Sequence, residues 1–225
     1  MISANASEFL KRFFTGVILT VCFGGAYLHS STLFLLLLGA VLAEILIFEW
    51  PRLVPLDRVR NLFYTLCYPI LPFTILFWLV KSYHATDIYL PIYPFLVAWT
   101  ADTCGYIVGK LMGNHKIYPS ISPGKSWEGL AGGVVGIFIL NLLVLPRIHK
   151  LSSSFVATDI VSMLVFSAVM SSIALLGGFF MSYLKRKNQL KDAGDLLPGH
   201  GGFLDRFDSV LFVTFAIGLV ITFFK

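Results

Sequence analysis

"FLDRFDSVLFVTFAIGLVITFFK", residues 203–225, decides the fold class. Its opening holds Asp205, Arg206 and Asp208, and the rest is almost unbroken apolar sequence. A helix needs about 20 predominantly apolar residues to cross the hydrocarbon of a bilayer. This stretch has that length, with three charges gathered at its start and Lys225 closing it. The whole chain shares the pattern: of 225 residues, 57% are hydrophobic and 13% charged, and the mean hydropathy is +0.82. Soluble domains usually carry about twice that charge fraction.

Working outward, apolar runs predict seven spans, at about 13–29, 32–49, 61–80, 88–111, 128–145, 159–181 and 206–224. The run after Lys11 and Arg12 has no small-residue cleavage site and more spans follow it, so it reads as a retained anchor. The short connection "HSS" predicts a tight antiparallel pair for the first two spans. All but four of the 17 Lys and Arg fall on one set of connections; Lys81, Arg147, Lys150 and Lys225 fall on the other. The positive-inside bias then puts the N-terminus in the cytoplasm and the C-terminus outside. The expected architecture is an all-α polytopic membrane protein of about seven transmembrane helices. Residues 1–94 form an N-terminal set of helices. Residues 95–225 are expected to form a C-terminal transmembrane region with two cytoplasmic polar loops, 110–127 and 182–205, the candidate catalytic part of the chain. Cys22, Cys67 and Cys104 have neither disulfide nor metal-site spacing and read as small buried apolar residues.

The polar residues concentrate in two places. Asp205 and Asp208 are three apart, share a helical face and can point at one ion. Carboxylate oxygens suit a hard cation such as Mg2+, which takes the rest of its shell from water and substrate phosphates. Upstream, "LPGHGG" (197–202) supplies glycines that let backbone N–H groups approach an anion at a helix N-terminus. Lys185, Arg186, Lys191, His200 and Arg206 add positive charge there. An ordinary juxtamembrane loop would explain Lys185, Arg186 and Lys187 as topology signals, but not an acidic pair opening an apolar span.

The second cluster is residues 99–133. Asp102 lies inside a span, where an acid is a functional candidate, and shares a face with Tyr106 and Gly109 that leaves room for a cavity. The loop "SPGKSWEG" (122–129) resembles a Walker A loop only in Gly124-Lys125-Ser126. The required earlier glycine is Pro119, and a membrane helix stands where a strand is needed. Lys125 with Ser122 and Ser126 can still bind phosphate. Ser126 or Glu128 can equally cap the next helix. Glu49 reads as interfacial, and Glu44 lacks an identifiable partner.

"SYLKRKNQLKDAGDLLPGHGGFLDRFD", residues 182–208, resembles the signature of the phosphatidate cytidylyltransferases, or CDP-diglyceride synthases. The likeness runs through Ser182, Lys185-Arg186, Lys191-Asp192, His200-Gly201-Gly202 and Asp205-Arg206-x-Asp208. The upstream "AD…Y…GK…G…HK…P…SP.KSWEG" is similar to the family's pattern too. Departures are a shorter N-terminal helical region and Gly124 where a second lysine is common. The resemblance implies transfer of CMP from CTP to phosphatidate, giving CDP-diacylglycerol and pyrophosphate. It implies Asp205 and Asp208 as metal ligands, with Asp192 and Asp102 as further candidates. Asp205, Asp208, Lys191 and Arg206 would carry the chemistry. Ser122, Lys125, Ser126, Lys185, Arg186, His200, Gly201 and Gly202 would bind substrate. Mg2+ is the expected cofactor, with a second, monovalent cation left open. Expected partners are CTP, phosphatidate and membrane lipid, with a homodimer left open and no nucleic acid. The expected location is the inner (plasma) membrane, multi-pass. A CTP-dependent lipid-alcohol kinase, a cytidylyltransferase for another lipid phosphate and a transporter are the competing readings.

Overall fold

The computed structural model describes residues 2–152, 159–199 and 201–223, the side chains of residues 2–13 and 152 excepted. His200 and Lys225 lie outside the described residues. The helices in chain order are α1 (Ile2–His29), α2 (Ser31–Glu44), α3 (Trp50–Leu53), α4 (Val59–Thr65), α5 (Leu71–Tyr83), α6 (Tyr93–Met112), α7 (Trp127–Val144), α8 (His149–Ser152), α9 (Ile160–Lys187) and α10 (Leu204–Phe223). Among the described residues there is no strand, only the isolated bridges Lys116–Ser126 and Leu197–Gly201. Among the described residues five helical stretches are long and apolar enough to cross a membrane: Ser31–Leu53, Val59–Tyr83, Trp127–Arg147, Ile160–Lys187 and Leu204–Phe223. Large apolar side chains such as Leu36, Ile47, Leu143 and Val165 point outward. Lipid tolerates that exposure, while each helix satisfies its own backbone. The protein is an all-α polytopic membrane protein.

Each expected apolar run is occupied by helix, with two instructive shifts. The fourth begins at Tyr93 rather than near residue 88. Asp87 Oδ1 accepts the N–H groups of Tyr89 and Leu90, each at 3.2 Å, fixing a turn there. Pro91 and Pro94 then permit helix only at its first positions. The sixth runs on to Lys187, so part of the expected 182–205 loop is helical. Its end is a Schellman arrangement: Leu190 N–H donates to Lys185 O (2.8 Å) and Gln189 N–H to Arg186 O (3.1 Å). Gln189 takes the left-handed φ of 58° that this cap needs. Lys185, Arg186 and Lys187 in the last turn suit the negative end of the helix dipole.

The chain divides into two compact units. The first comprises Met1–Lys81 and Leu184–Phe207, the second Ser82–Tyr183 and Asp208–Lys225. In the first, α1 and α2 form the expected tight pair, with only Ser30 between them. Phe34 packs edge-on against both Phe23 and Tyr27. Two π-helical segments, Ile45–Glu49 and Leu66–Ile70, interrupt the longer rods. Trp50 N–H donates to Ile45 O and Leu71 N–H to Leu66 O, in each case five residues back. The next residue is Pro51 or Pro72. A proline offers no N–H and its ring crowds the carbonyl four residues back, so a widened turn relieves both defects. Buried Trp50 then packs on Tyr68, ring centroids 5.4 Å apart. Its indole N–H donates to Thr65 Oγ1 at 2.7 Å.

In the second unit α6 and α7 meet through glycine. A Cβ on Gly105 would lie 3.2 Å from Gly129 O, and one on Gly129 would lie 2.8 Å from Gly105 O. Small residues let membrane helices approach this closely, so that packing and weak polar contacts replace the absent hydrophobic drive. A buried polar ladder ties three helices: Tyr93 OH donates to Asn141 Oδ1 (2.6 Å), Asn141 Nδ2 to Ser167 Oγ (2.9 Å) and Ser167 Oγ to Met163 O (2.7 Å). Every member has a partner, as a buried polar group requires.

Candidate active site

In the first unit the Gly-rich turn between α9 and α10 closes through Leu197 N–H to Gly201 O at 2.9 Å. Gly199 and Gly201 adopt φ of 75° and 79°, where a side chain would be strained. The turn is organised by carboxylates of the chain itself. Asp205 Oδ1 accepts Lys185 Nζ at 2.6 Å, and Oδ2 accepts the N–H groups of Ala193 (2.7 Å) and Gly202 (3.1 Å). The Asp205 side chain is 4% exposed and that of Lys185 17%. Glu49, also buried, accepts the N–H groups of Phe203 and Leu204, each at 2.7 Å. Glu44 lies close to Glu49. The Gly202 N–H expected to face a phosphate is therefore donated to Asp205. Asp192 borders the same turn: a Cβ on Gly201 would lie 2.7 Å from Asp205 Oδ2 and 3.1 Å from Asp192 Cβ. Lys191, Asp192, Arg186 and Arg206 are exposed. Asn188 Nδ2 donates to Leu53 O at 2.9 Å and fixes the end of α9 to the end of α3.

The second unit contains a cavity of about 220 Å³ lined by Asp102, Tyr106, Lys125, Ser126 and Ser171 among others. It stands where the shared face of Asp102 and Tyr106 predicts one, and Gly105 and Gly129 help to open it. The loop before α7 is folded back on itself: Ile117 N–H donates to Lys125 O (3.1 Å) and Trp127 N–H to His115 O (3.0 Å). His115 Nδ1 meets Glu128 Oε1 at 2.6 Å, and Glu128 also accepts His115 N–H. Ser126 Oγ accepts Gly129 N–H at 3.1 Å and caps α7. Ser126 thus both caps and lines the cavity, whereas Glu128 staples the loop. Ser122 sits in the turn, its carbonyl accepting Lys125 N–H at 3.3 Å. Lys125 Nζ donates to Leu175 O at 3.2 Å and lies 4.8 Å from the centre of the Phe179 ring. A Cβ on Gly178 would collide with this ammonium, so the glycine makes its seat. The same Cβ would lie 3.6 Å from Ser209 Oγ on α10. Asp208 Oδ1 accepts the Ser209 N–H at 2.7 Å, and α9 presses on this turn at Gly177, where a Cβ would lie 2.6 Å from Asp208 O.

Among the described residues no three of His, Cys, Asp and Glu converge as a metal cage. Mg2+ does not need one: it is commonly held by one or two carboxylates together with waters and phosphates. The Asp102 carboxylate, lining a cavity with Lys125 and hydroxyl groups, fits that donor chemistry. Asp205 is committed to three N–H donors and has little capacity left. Sequence reasoning missed Glu49, whose partners are 154 and 155 residues away. The one available signal was an acid ending an apolar run, which demands satisfaction. It also missed the His115–Glu128 staple and Ser171, which no motif marks.

The pattern of the cytidylyltransferase family matches residues 11–224. The chain belongs to that family. A phosphatidate cytidylyltransferase of Rickettsia conorii is 32% identical over 216 residues, 95% of this chain and 91% of that protein. One of Haemophilus influenzae is 33% identical over 207 residues, 83% of this chain and 69% of that protein. One of Bacillus subtilis is 43% identical over 121 residues, 54% of this chain and 43% of that protein.

Proposed function

We propose that this protein is a phosphatidate cytidylyltransferase that makes CDP-diacylglycerol and pyrophosphate from CTP and phosphatidate. The observation that carries this reading is the cavity in which Lys125, Asp102 and hydroxyl groups meet, in a chain whose family likeness covers almost its full length. A phosphate oxygen of phosphatidate attacks the α-phosphorus of CTP; the bond from that phosphorus to the bridging oxygen breaks and pyrophosphate leaves with the electron pair. No protein nucleophile is needed, so the protein's work is positioning and charge neutralisation.

Lys125, seated against Gly178, meets one phosphate group. Exposed Lys191, Arg206 and Arg186 meet the triphosphate and lipid headgroup. Lys185 acts through its ion pair with Asp205. Asp102 and Asp208, both in the second unit, are the residues that would hold Mg2+, whereas Asp205 is taken by its three N–H donors. When bound, Mg2+ supplies neutralisation of the negative charge shared by entering and leaving oxygens. The positive-inside charge bias supports a reaction at the cytoplasmic face of the membrane, for which the inner membrane is the proposed location.

The test is purified protein in detergent with CTP labelled at the α-phosphate, phosphatidate and graded Mg2+. Labelled lipid and pyrophosphate are expected, and Asp208→Asn should abolish both while leaving the protein inserted. Release of CDP with phosphorylation of a lipid alcohol would replace this reading with a kinase. Wild-type turnover by Asp208→Asn would remove Asp208 from the metal site.

A further inference from the structure

We infer that Glu49 is a positioning residue for the Gly-rich turn, an internal anion that sets the geometry around Asp205. The inference rests on the cytidylyl-transfer reading for its kinetic arm only. Glu49 closes the π segment Ile45–Glu49, far in sequence from the turn it serves. Its two carboxylate oxygens accept separate N–H groups, from Phe203 and Leu204, each at 2.7 Å. These distances are short, as expected when the acceptor is charged. The neighbouring Gly202 N–H goes to Asp205. Three successive N–H groups at the start of α10 thus serve carboxylates of this chain, an arrangement that a phosphate could enter only by displacing one.

The glycines confirm what the turn is shaped around. A Cβ on Gly194 would lie 2.9 Å from Glu49 Oε1. A Cβ on Gly202 would collide with both Glu49 oxygens. Two glycines of the signature stretch are therefore demanded by this one carboxylate. The π turn supplies the other half of the fit: it brings Glu49 to the helix start while Trp50, the next residue, stays buried against Tyr68. The path of influence is short. Glu49 holds Phe203 and Leu204, the adjacent Gly202 N–H holds Asp205 Oδ2, and Asp205 Oδ1 holds Lys185.

The experiment compares wild type and Glu49→Gln as purified full-length protein in detergent. The amide keeps one acceptor but turns an NH2 group toward the second N–H. Hydrogen exchange in peptides covering Phe203 and Leu204 should accelerate roughly 10-fold or more, with exchange in α6 and α7 unchanged. In turnover of CTP with phosphatidate, kcat should fall roughly 10- to 100-fold, while KM for CTP moves by less than about 3-fold, the pattern of a supporting residue. Wild-type exchange and kcat in Glu49→Gln would overturn the inference. So would exchange that rises equally along the whole chain, the mark of general destabilisation. Gly202→Ala presses a methyl on the same carboxylate and should give the same local exchange and kcat loss; a silent Gly202→Ala also overturns it. Should wild-type protein fail to turn over CTP, the cytidylyl-transfer reading falls, and the exchange result alone decides the role of Glu49.

Discussion

Asp205→Asn separates a clamp from an open metal ligand. The wild-type carboxylate is 4% exposed and faces three N–H donors, with Lys185 Nζ at 2.6 Å. Asparagine has one acceptor oxygen. If that oxygen keeps the Ala193 and Gly202 N–H groups, its NH2 faces the lysine ammonium, and two donors oppose each other. If it turns to Lys185, the NH2 faces two backbone donors instead. Removing one partner from a buried ion pair costs about 3–5 kcal/mol. Lys185 is 17% exposed, so water replaces part of the loss, and the expected cost is about 3 kcal/mol. For a chain of 225 residues that lowers Tm by roughly 6–12 °C. The assay is thermal unfolding in detergent followed by tryptophan fluorescence, with Lys185→Met as the second arm. Removing both charges avoids the stranded ammonium, so Asp205→Asn with Lys185→Met should be more stable than Asp205→Asn alone by about 1–2 kcal/mol. A Tm within about 1 °C of wild type for Asp205→Asn, on the same scale, would refute the clamp.

Lys125→Met should retain the α6–α7 fold and raise KM for CTP or phosphatidate roughly 10-fold or more, since one charge-assisted phosphate contact is lost; steady-state kinetics with each substrate varied in turn reads it. Gly133→Leu should reduce the yield of folded monodisperse protein severely. Even a Cβ there would lie 2.6 Å from Ser171 Oγ and 3.3 Å from Ala101 O, and overpacking a close helix contact costs about 1–3 kcal/mol. Size-exclusion chromatography with fluorescence detection checks it.

The helices were legible because a run of about 20 apolar residues has few alternatives to a membrane helix. The boundary shifts have local causes. Asp87 and Pro91 hold the start of α6 back, and Gln189 ends α9 through a left-handed cap that composition does not announce. The two clusters were legible as concentrations of charge. Their internal wiring was not, because spacing along a helix fixes which side chains share a face and not which distant groups meet that face. The i, i+3 spacing of Asp205 and Asp208 suggests a common ion. The structure instead gives Asp205 to Lys185 and two backbone amides. Glu49 shows the limit most plainly. At the edge of an apolar run it reads as interfacial, yet a π turn caused by a following proline brings it to α10.

The glycines of the signature therefore have a different physical reason from the one their pattern suggests. A Gly-rich turn before a helix is easily read as a cradle for substrate phosphate. Here the space at Gly194 and Gly202 is taken by Glu49, and that at Gly201 by Asp205 and Asp192. In the second unit the space at Gly178 is taken by the Lys125 ammonium. Missing side chains in one segment make room for charged side chains of another. That is an economical device in a membrane protein, where an unpaired charge is expensive and a glycine lets a charge reach backbone N–H or C=O directly. The amides of Gly202 to Leu204 are thus already taken by carboxylates of the chain itself, which leaves the cavity lined by Lys125 as the place to look for a substrate phosphate.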